Sequence, residues 1–484
     1  MFAAVDLGSN SFRLHIGKHD GEAIRVVKSA RDQIRLAAEL DKDNCLTEAG
    51  MDRALESLHG FARTLEAYPL EAVRVVATAV FRAAKNSHEF LPRLEAAIGH
   101  PIEIISGEEE GRLIYFGVAN CLALPGERRL VVDIGGGSTE MILGRGLDIE
   151  RVESFGVGTV AQSSQFFGDG ELTQERFEAA SLAARSRFED AAPPYRPAHW
   201  RIAYASSGTM RALGELIGRN NIGDGTLSRT NLLALQALFI GYGQISKIDL
   251  YGLRQERASS LVGGLSILLA IMHELDFEVM TPIEAGLRMG VMWDLYYRAT
   301  KRDRREQSVR GFMKKLNVDE ARANRVANEA SALFAQTKPL SDHYARLLYW
   351  AASLHEIGLM VSQTDYHKHA GYLIEHADLP GFTSSEQRLM SKLAVGQKGN
   401  LKKLGEALQE PDFARALLAL RLAILFMHSR MDVDFGELRL RLKNRIDFDL
   451  PRRYVEQHPT LLVWLQKEQE AWSSVGTEFN LRLI

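Results

Sequence analysis

The chain is expected to fold as an α/β protein over its first 300 residues and as a mostly helical one beyond them. Three observations predict this. Apolar runs at strand spacing alternate with runs at helical spacing in the first part. One short pattern occurs there twice, as Val5-Asp6-Leu7-Gly8-Ser9-Asn10-Ser11 and as Val132-Asp133-Ile134-Gly135-Gly136-Gly137-Ser138. After Tyr297 the strand signals largely stop, and residues 301–315 carry seven basic and two acidic side chains.

Taken in order, each copy of the repeat reads as a buried strand ending in Asp, a tight Gly/Ser turn and a returning strand. Leu14, Ile16 and Gly17 close the first copy and Met141, Leu143 and Gly144 the second, at the same offsets. Residues 24–29 predict a strand. Residues 48–65 predict a helix, with Met51, Leu55, Leu58, Ala62 and Leu65 on one face. The continuous apolar run 73–77 predicts a buried strand, 89–98 a short helix, and 102–105 a further strand. Residues 202–205 predict a strand before the small turn Ser207-Gly208-Thr209, and 232–241 and 259–275 predict helices. From 301 to about 430 the pattern is helical. Leu438, Leu440 and Leu442 then alternate with Arg439, Arg441 and Lys443, the period of a strand with one apolar and one cationic face. The expected domains are 1–122, 123–300, 301–430 and 431–484.

Bulk properties narrow the function class. The 484 residues are 46% apolar and 25% charged, an ordinary globular composition with room for two to four domains. Asp6 and Arg13 break the opening too early for a signal sequence, and Gly263 and Gly264 interrupt the greasiest stretch, so neither export nor a membrane span is expected. Two cysteines, Cys45 and Cys121, build neither a disulfide framework nor a thiolate zinc site. A cytoplasmic protein is the expectation. The net charge of -3 gives no overall pull on a polyanion, so nucleic acid is not an expected partner and any phosphate polymer must be held by local basic groups.

The two turns carry the chemistry. Gly8, Ser9, Asn10 and Ser11 supply small residues, backbone donors and hydroxyls, while Gly135, Gly136 and Gly137, followed by Ser138, let the backbone touch an oxyanion. A single such turn is consistent with a plain hairpin; a matched pair points to two lobes gripping a phosphate compound. Asp6 and Asp133 end their strands where a carboxylate can hold a hydrated Mg²⁺ that bridges phosphate oxygens, and Glu140 can join that shell. Neither turn is a Walker A loop.

Four segments in order then resemble one family: 6–11 (DLGSNS), 78–82 (TAVFR), 105–110 (ISGEEE) and 133–140 (DIGGGSTE). They are similar to the exopolyphosphatase and guanosine pentaphosphate phosphohydrolase family, whose lobes have the actin-like (ribonuclease H-like) fold. Segments 350–358 and 378–382 resemble the helical C-terminal region of its long members, with a degenerate HD-like domain and a small C-terminal domain. The resemblance implies hydrolysis of a terminal phosphate. By motif position Glu110 matches the catalytic glutamate, Asp133 and Glu140 match acids near the metal and the attacking water, and Arg82 matches an arginine that contacts phosphate. Gly156 replaces a usual proline and Met289 a usual glutamate.

The residues themselves fit these roles. Glu110 sits in the run Glu108-Glu109-Glu110 just before an expected helix at 111–117. Repulsion among the three carboxylates is expected to raise a pKa toward neutrality. Arg82 follows a strand's carboxyl end, where ligands bind in α/β sheets, and can clamp phosphate with two parallel bonds. Arg13 follows the first turn, where it either helps or faces outward. Ser207, Gly208 and Thr209 form a third candidate phosphate turn. Residues 301–315 and the cations Arg439, Arg441, Lys443 and Arg445 are candidates for a polyphosphate track. His355, Glu356, His367, His369 and His376 resemble a worn HD site, for which packing or dimerisation is the expected role.

The expectation is a metal-dependent exopolyphosphatase that processively removes terminal phosphate from inorganic polyphosphate, with Mg²⁺ as cofactor, stimulation by K⁺, and a homodimeric state. Guanosine pentaphosphate is the close alternative substrate. An actin-like kinase and a non-catalytic polyphosphate or alarmone sensor are the rival classes.

Overall fold

The computed structural model describes residues 1–122, 124–300, 305–377, 379, 381–382, 384–428 and 433–484. Residues 301–304 of the basic run, and residues 378 and 380 of the 378–382 segment, lie outside the described residues. The chain divides into two compact units, Met1–Arg302 and Asp303–Ile484.

The first unit is a duplicated design. Its first sheet holds β1 (Phe2–Leu7), β2 (Phe12–His19), β3 (Ile24–Asp32), β4 (Ala72–Ala77) and β5 (Ile102–Ile104), in the order β3-β2-β1-β4-β5. Between them run α1 (Glu48–Glu66), α2 (Ala79–Ala83) and α3 (Ser87–Ile98), and α4 (Gly107–Leu122) follows. The second sheet holds β6 (Arg128–Ile134), β7 (Thr139–Arg145), β8 (Asp148–Phe155), β9 (Ile202–Ser206), β10 (Leu227–Ser228) and β11 (Val279–Pro282), ordered β10-β11-β9-β6-β7-β8. In each sheet a three-strand antiparallel meander is joined by a parallel strand on the inner side of its first member, β4 on β1 and β9 on β6. The repeat therefore occupies equivalent hairpins. Asp6 pairs with Arg13 in one and Asp133 with Glu140 in the other.

Helices α5 (Thr159–Phe167), α6 (Gln174–Phe188), α7 (Ser207–Arg219), α8 (Arg229–Tyr242) and α9 (Gln255–Glu274) complete the second lobe, and α10 (Leu287–Ala299) ends the unit. Each lobe has its own core, around Val5, Leu7, Leu14 and Val75 in the first and around Leu130, Val132, Met141 and Leu265 in the second. Strands alternate inward and outward side chains with period two, so the pattern that predicted the elements also fills these cores. Helix α4 and helix α10 cross with almost no space between their backbones. A methyl group on Gly117 would stand 2.6 Å from the Gly286 carbonyl oxygen, and one on Gly290 1.7 Å from that of Leu113.

The second unit packs α11 (Arg305–Lys315), α12 (Glu320–Gln336), α13 (His343–Ser353), α14 (Tyr366–His376), α15 (Ser384–Gly396) and α16 (Pro411–His428) around one core. Strands β12 (Arg439–Leu442) and β13 (Ile446–Leu450), helices α17 (Arg452–Gln457) and α18 (Thr460–Ser473), and β14 (Phe479–Leu483) bury Leu440, Phe448, Trp472 and Phe479 in that same core. Leu440 and Leu442 are buried and Arg439, Arg441 and Lys443 exposed, as the alternation requires. The cationic face is partly neutralised, because Arg441 pairs with Asp449 at 3.3 Å and Arg445 with Asp447 at 3.1 Å. His355 is 1% exposed, and burial lowers its pKa to about 4. Its Nδ1 lies 2.6 Å from the Ala352 carbonyl and its own carbonyl accepts from Gln397. Among the described residues no group of three His, Cys, Asp or Glu is placed to hold a metal; His355 and His367 are buried, His369 is half-buried and His376 is exposed. No helix of the described residues is long and apolar enough to cross a membrane.

Candidate active site

The two repeated turns meet in a cleft of about 560 Å³ within the first unit. They touch: a methyl group on Gly136 would stand 3.2 Å from Ser9 Cβ, and one on Gly137 2.7 Å from Ser9 Oγ. Their carbonyls are pinned from behind. Ser9 and Asn10 oxygens accept from the backbone N–H groups of Ala37 and Arg35 at 2.9 Å, and Gly135 and Gly136 oxygens accept from Thr159 and Val160 at the start of α5, at 3.0 Å. Among the described residues the N–H groups of Ser9, Asn10, Gly136 and Gly137 donate to no protein acceptor. Backbone donors left open in a cleft are free to donate to water or to an anion, and an oxyanion can accept from several at once. Gly158 explains how the second turn keeps its shape. A methyl group there would lie 2.4 Å from the Gly136 carbonyl oxygen, so only glycine lets α5 approach closely enough to pin it.

Acidic groups gather beside the turns. Helix α4 starts four residues earlier than expected, because the Ser106 hydroxyl accepts from the Glu109 N–H at 3.1 Å. The three glutamates therefore fan out around the first turn of a helix. Glu108 is exposed. Glu109 turns into a buried ionic network in which Arg74 and Arg112 bind both Glu109 and Asp294, with Arg112 Nε 2.6 Å from Glu109 Oε2. Glu103 and Arg298 complete that network. Glu110 alone lines the cleft.

This corrects the expected cause of the Glu110 shift. Its carboxyl is raised from 4.5 to about 7 chiefly by burial, opposed by Arg82 and reinforced by Asp6 and Asp133, not by its sequence neighbours. Asp133 is raised to about 6 by burial, against the pull of its hydrogen bond from Ser206. Ser206 Oγ lies 2.8 Å from both Asp133 Oδ2 and the Ala285 carbonyl, and its single proton serves one of them at a time. Glu140 is raised well above its ordinary range by burial and by Glu110 and Asp133; it accepts from Ser154 Oγ at 2.8 Å, and its Oε2 is buried without a partner.

Most of the residues singled out from the sequence come together here. Asp6, Gly8, Ser9, Asn10, Ser11, Glu110, Asp133, Gly135, Gly136, Gly137 and Ser138 line the cleft, as do Ser207, Gly208 and Thr209. Glu140 and Arg82 are absent from the cleft lining. Arg82 Nη1 binds Glu110 Oε2 and the Ile105 carbonyl, both at 2.9 Å, so it holds the carboxylate. Ser207 adopts φ 83°, an uncommon conformation for a residue with a side chain, and Ser207, Gly208 and Thr209, expected as a separate small turn, are the first residues of α7.

Further cations, beyond the Arg13 that the sequence offered, complete the site. Arg288 Nη1 binds Asp6 Oδ2 at 3.0 Å, and Arg257 Nη2 donates to the Gly208 carbonyl at 2.8 Å. Arg13, Arg31, Arg211 and Arg257 all line the cleft. Burial first, and then the repulsion of Arg13 and other arginines, lowers the pKa of both Arg31 and Arg257. Arginines that repel one another around a cavity are relieved by a multivalent anion. Arg288 had a signal, standing next to Met289, where the resemblance expects a glutamate; Arg31 and Arg257 are assembled by the tertiary fold alone.

Comparison with known proteins agrees with this geometry. Residues 15–299 match the model of the Ppx/GppA phosphatase family, and residues 304–469 that of Ppx/GppA phosphatase, domain III. The crystal structure of the Aquifex aeolicus Ppx/GppA family member is 24% identical with a TM-score of 0.53, over 62% of this chain and 98% of that one. An exopolyphosphatase from Cytophaga hutchinsonii is 22% identical with a TM-score of 0.53, over 61% of this chain and 97% of that one. These likenesses fix the fold of the first unit as a pair of actin-like lobes. With both units matched by its models, the chain belongs to the Ppx/GppA phosphatase family.

Proposed function

We propose that this phosphatase is an exopolyphosphatase, removing the terminal phosphate of inorganic polyphosphate processively. The observation that supports it best is the pair of touching turns whose open N–H groups share one cleft with Glu110. The turns bind the terminal phosphoryl group, and their fixed dipoles stabilise charge on its oxygens as the bond to the leaving phosphate lengthens. Glu110 takes the proton of the attacking water. With its carboxyl near 7 it is both available as a base and strong enough to act at neutral pH. Arg82 orients that carboxylate. Arg13, Arg31, Arg211 and Arg257 neutralise the phosphates that follow the terminal one, which suits a linear polyanion.

Mg²⁺ fits the acids present. Among the described residues no three ligands form a ready cage. Mg²⁺, however, commonly takes one or two carboxylates and completes its shell with water and substrate phosphate. Asp133 and Asp6 line the cleft, and Glu140 offers an unpartnered buried oxygen nearby in the same electrostatic group. Asp133, with Asp6 or Glu140, would hold the ion, which would supply Lewis-acid neutralisation of phosphoryl charge when bound.

The test is phosphate release from long-chain polyphosphate and from guanosine pentaphosphate, measured side by side with no acceptor present. Faster turnover of polyphosphate is expected. A preference for guanosine pentaphosphate would move the assignment to the nucleotide. Transfer only to an added acceptor would make the protein a kinase, and binding without release would make it a sensor.

A further inference from the structure

The second unit contains a cavity of about 500 Å³, within the size range of small-ligand sites. Its walls divide by chemistry. Leu401, Leu408, Leu442 and Val475 give it an apolar side. Lys402, Lys443 and Arg415 give it three cations, and among the described residues no acidic side chain lines it. Lys402 and Lys443 are exposed and show no ion pair within the described residues, whereas Arg415 is tied to Asp412 at 2.6 Å. Trp472, only 1% exposed, also lines the cavity, and its indole N–H has no acceptor; neither has the Arg415 Nε. Buried donors are normally paired, so two orphans in one lining mark a place where a partner is missing.

We propose that this cavity binds a phosphate-bearing anion, with the phosphates on Lys402 and Lys443 and any planar or apolar body against Trp472 and the leucines. Lys443 thereby takes a defined role, while the neighbouring Arg441 and Arg445 are already engaged by Asp449 and Asp447. The phosphate run is available from two sources, a nucleoside triphosphate or the polyphosphate chain itself. The apolar wall favours the first, since bare polyphosphate has nothing to bury there. The inference does not depend on the chemistry of the cleft, because every lining residue belongs to the second unit.

The test uses the full chain with its five tryptophans replaced by 5-fluorotryptophan. The Trp472 fluorine resonance is assigned by its loss in Trp472→Phe. Two non-hydrolysable probes are titrated, β,γ-methylene-GTP and bis-methylene triphosphonate. A saturable shift of that resonance is expected with β,γ-methylene-GTP, and Lys402→Glu/Lys443→Glu is expected to weaken it about tenfold or more, each lost charge contact accounting for a share. Binding of the triphosphonate with equal or greater affinity would keep the site and assign it to polyphosphate. A resonance that stays fixed with both probes at millimolar concentration would overturn the proposal. So would a shift unchanged in the double lysine variant.

Discussion

Replacing Glu110 with Gln separates what this carboxylate does for catalysis from what it costs the fold. Gln keeps the shape and can still accept from Arg82, but it cannot take a proton. Removing a general base typically lowers turnover by about 10²–10⁴-fold, so phosphate release should fall by that factor with little change in substrate binding. Stability should move the other way, and only at high pH. The Glu110 carboxyl is raised from 4.5 to about 7, so the folded protein binds its proton more tightly than the unfolded chain does. Wild-type stability from this group is therefore intact below about 4.5 and declines as pH rises to 7, by about 3 kcal/mol at roughly 1.4 kcal/mol per pH unit. Gln escapes that decline. The assay is calorimetric unfolding of both proteins at pH 5 and pH 8.5, beside phosphate release from polyphosphate. The variant should match wild type more closely at pH 5 and exceed it at pH 8.5. A stability difference independent of pH, or a variant that keeps activity within a few fold, would refute the reasoning.

Two further substitutions test the surroundings. Gly158→Ala places a methyl group 2.4 Å from the Gly136 carbonyl oxygen, a backbone atom that cannot step aside without opening the second turn. Activity should drop by two or more orders of magnitude while circular dichroism stays close to wild type, and stability should fall by about 1–3 kcal/mol. Asp294→Asn leaves Arg74, Arg112 and Arg298 short of their shared carboxylate in a buried place. Breaking a buried ionic network this way costs about 3–5 kcal/mol, read as an earlier unfolding transition.

The sequence announced its repeat, and through it the equivalence of the two hairpins and the residues of both turns. Short-range geometry was legible because Asp, Gly and Ser at fixed offsets constrain the backbone directly. Long-range electrostatics was not. Motif position singled out Glu110 in the glutamate run but said nothing of where Glu108 and Glu109 point, and a helix turns about 100° per residue. One glutamate therefore meets solvent, one meets Arg74 and Arg112, and one meets the cleft. Arg82 was legible as a functional arginine, but its engagement with Glu110 follows from where α2 and α4 end up. Arg31 and Arg257 lie far apart in the chain and share no motif; only the folded lobes put them together. The buried network around Asp294 left no sequence trace either, since its members are spread over β4, β5, α4 and α10.

The crossing of α4 and α10 bears on how such a chain can vary over generations. Gly117 and Gly290 meet main chain against main chain, so neither can acquire a side chain unless the pair of helices separates. Separation would drag Glu110 and Arg288 apart, because one rides on the first helix and the other on the second. Mutational drift at either glycine thus has no neutral intermediate, and these two inconspicuous positions should tolerate fewer replacements than many residues that touch the cleft itself.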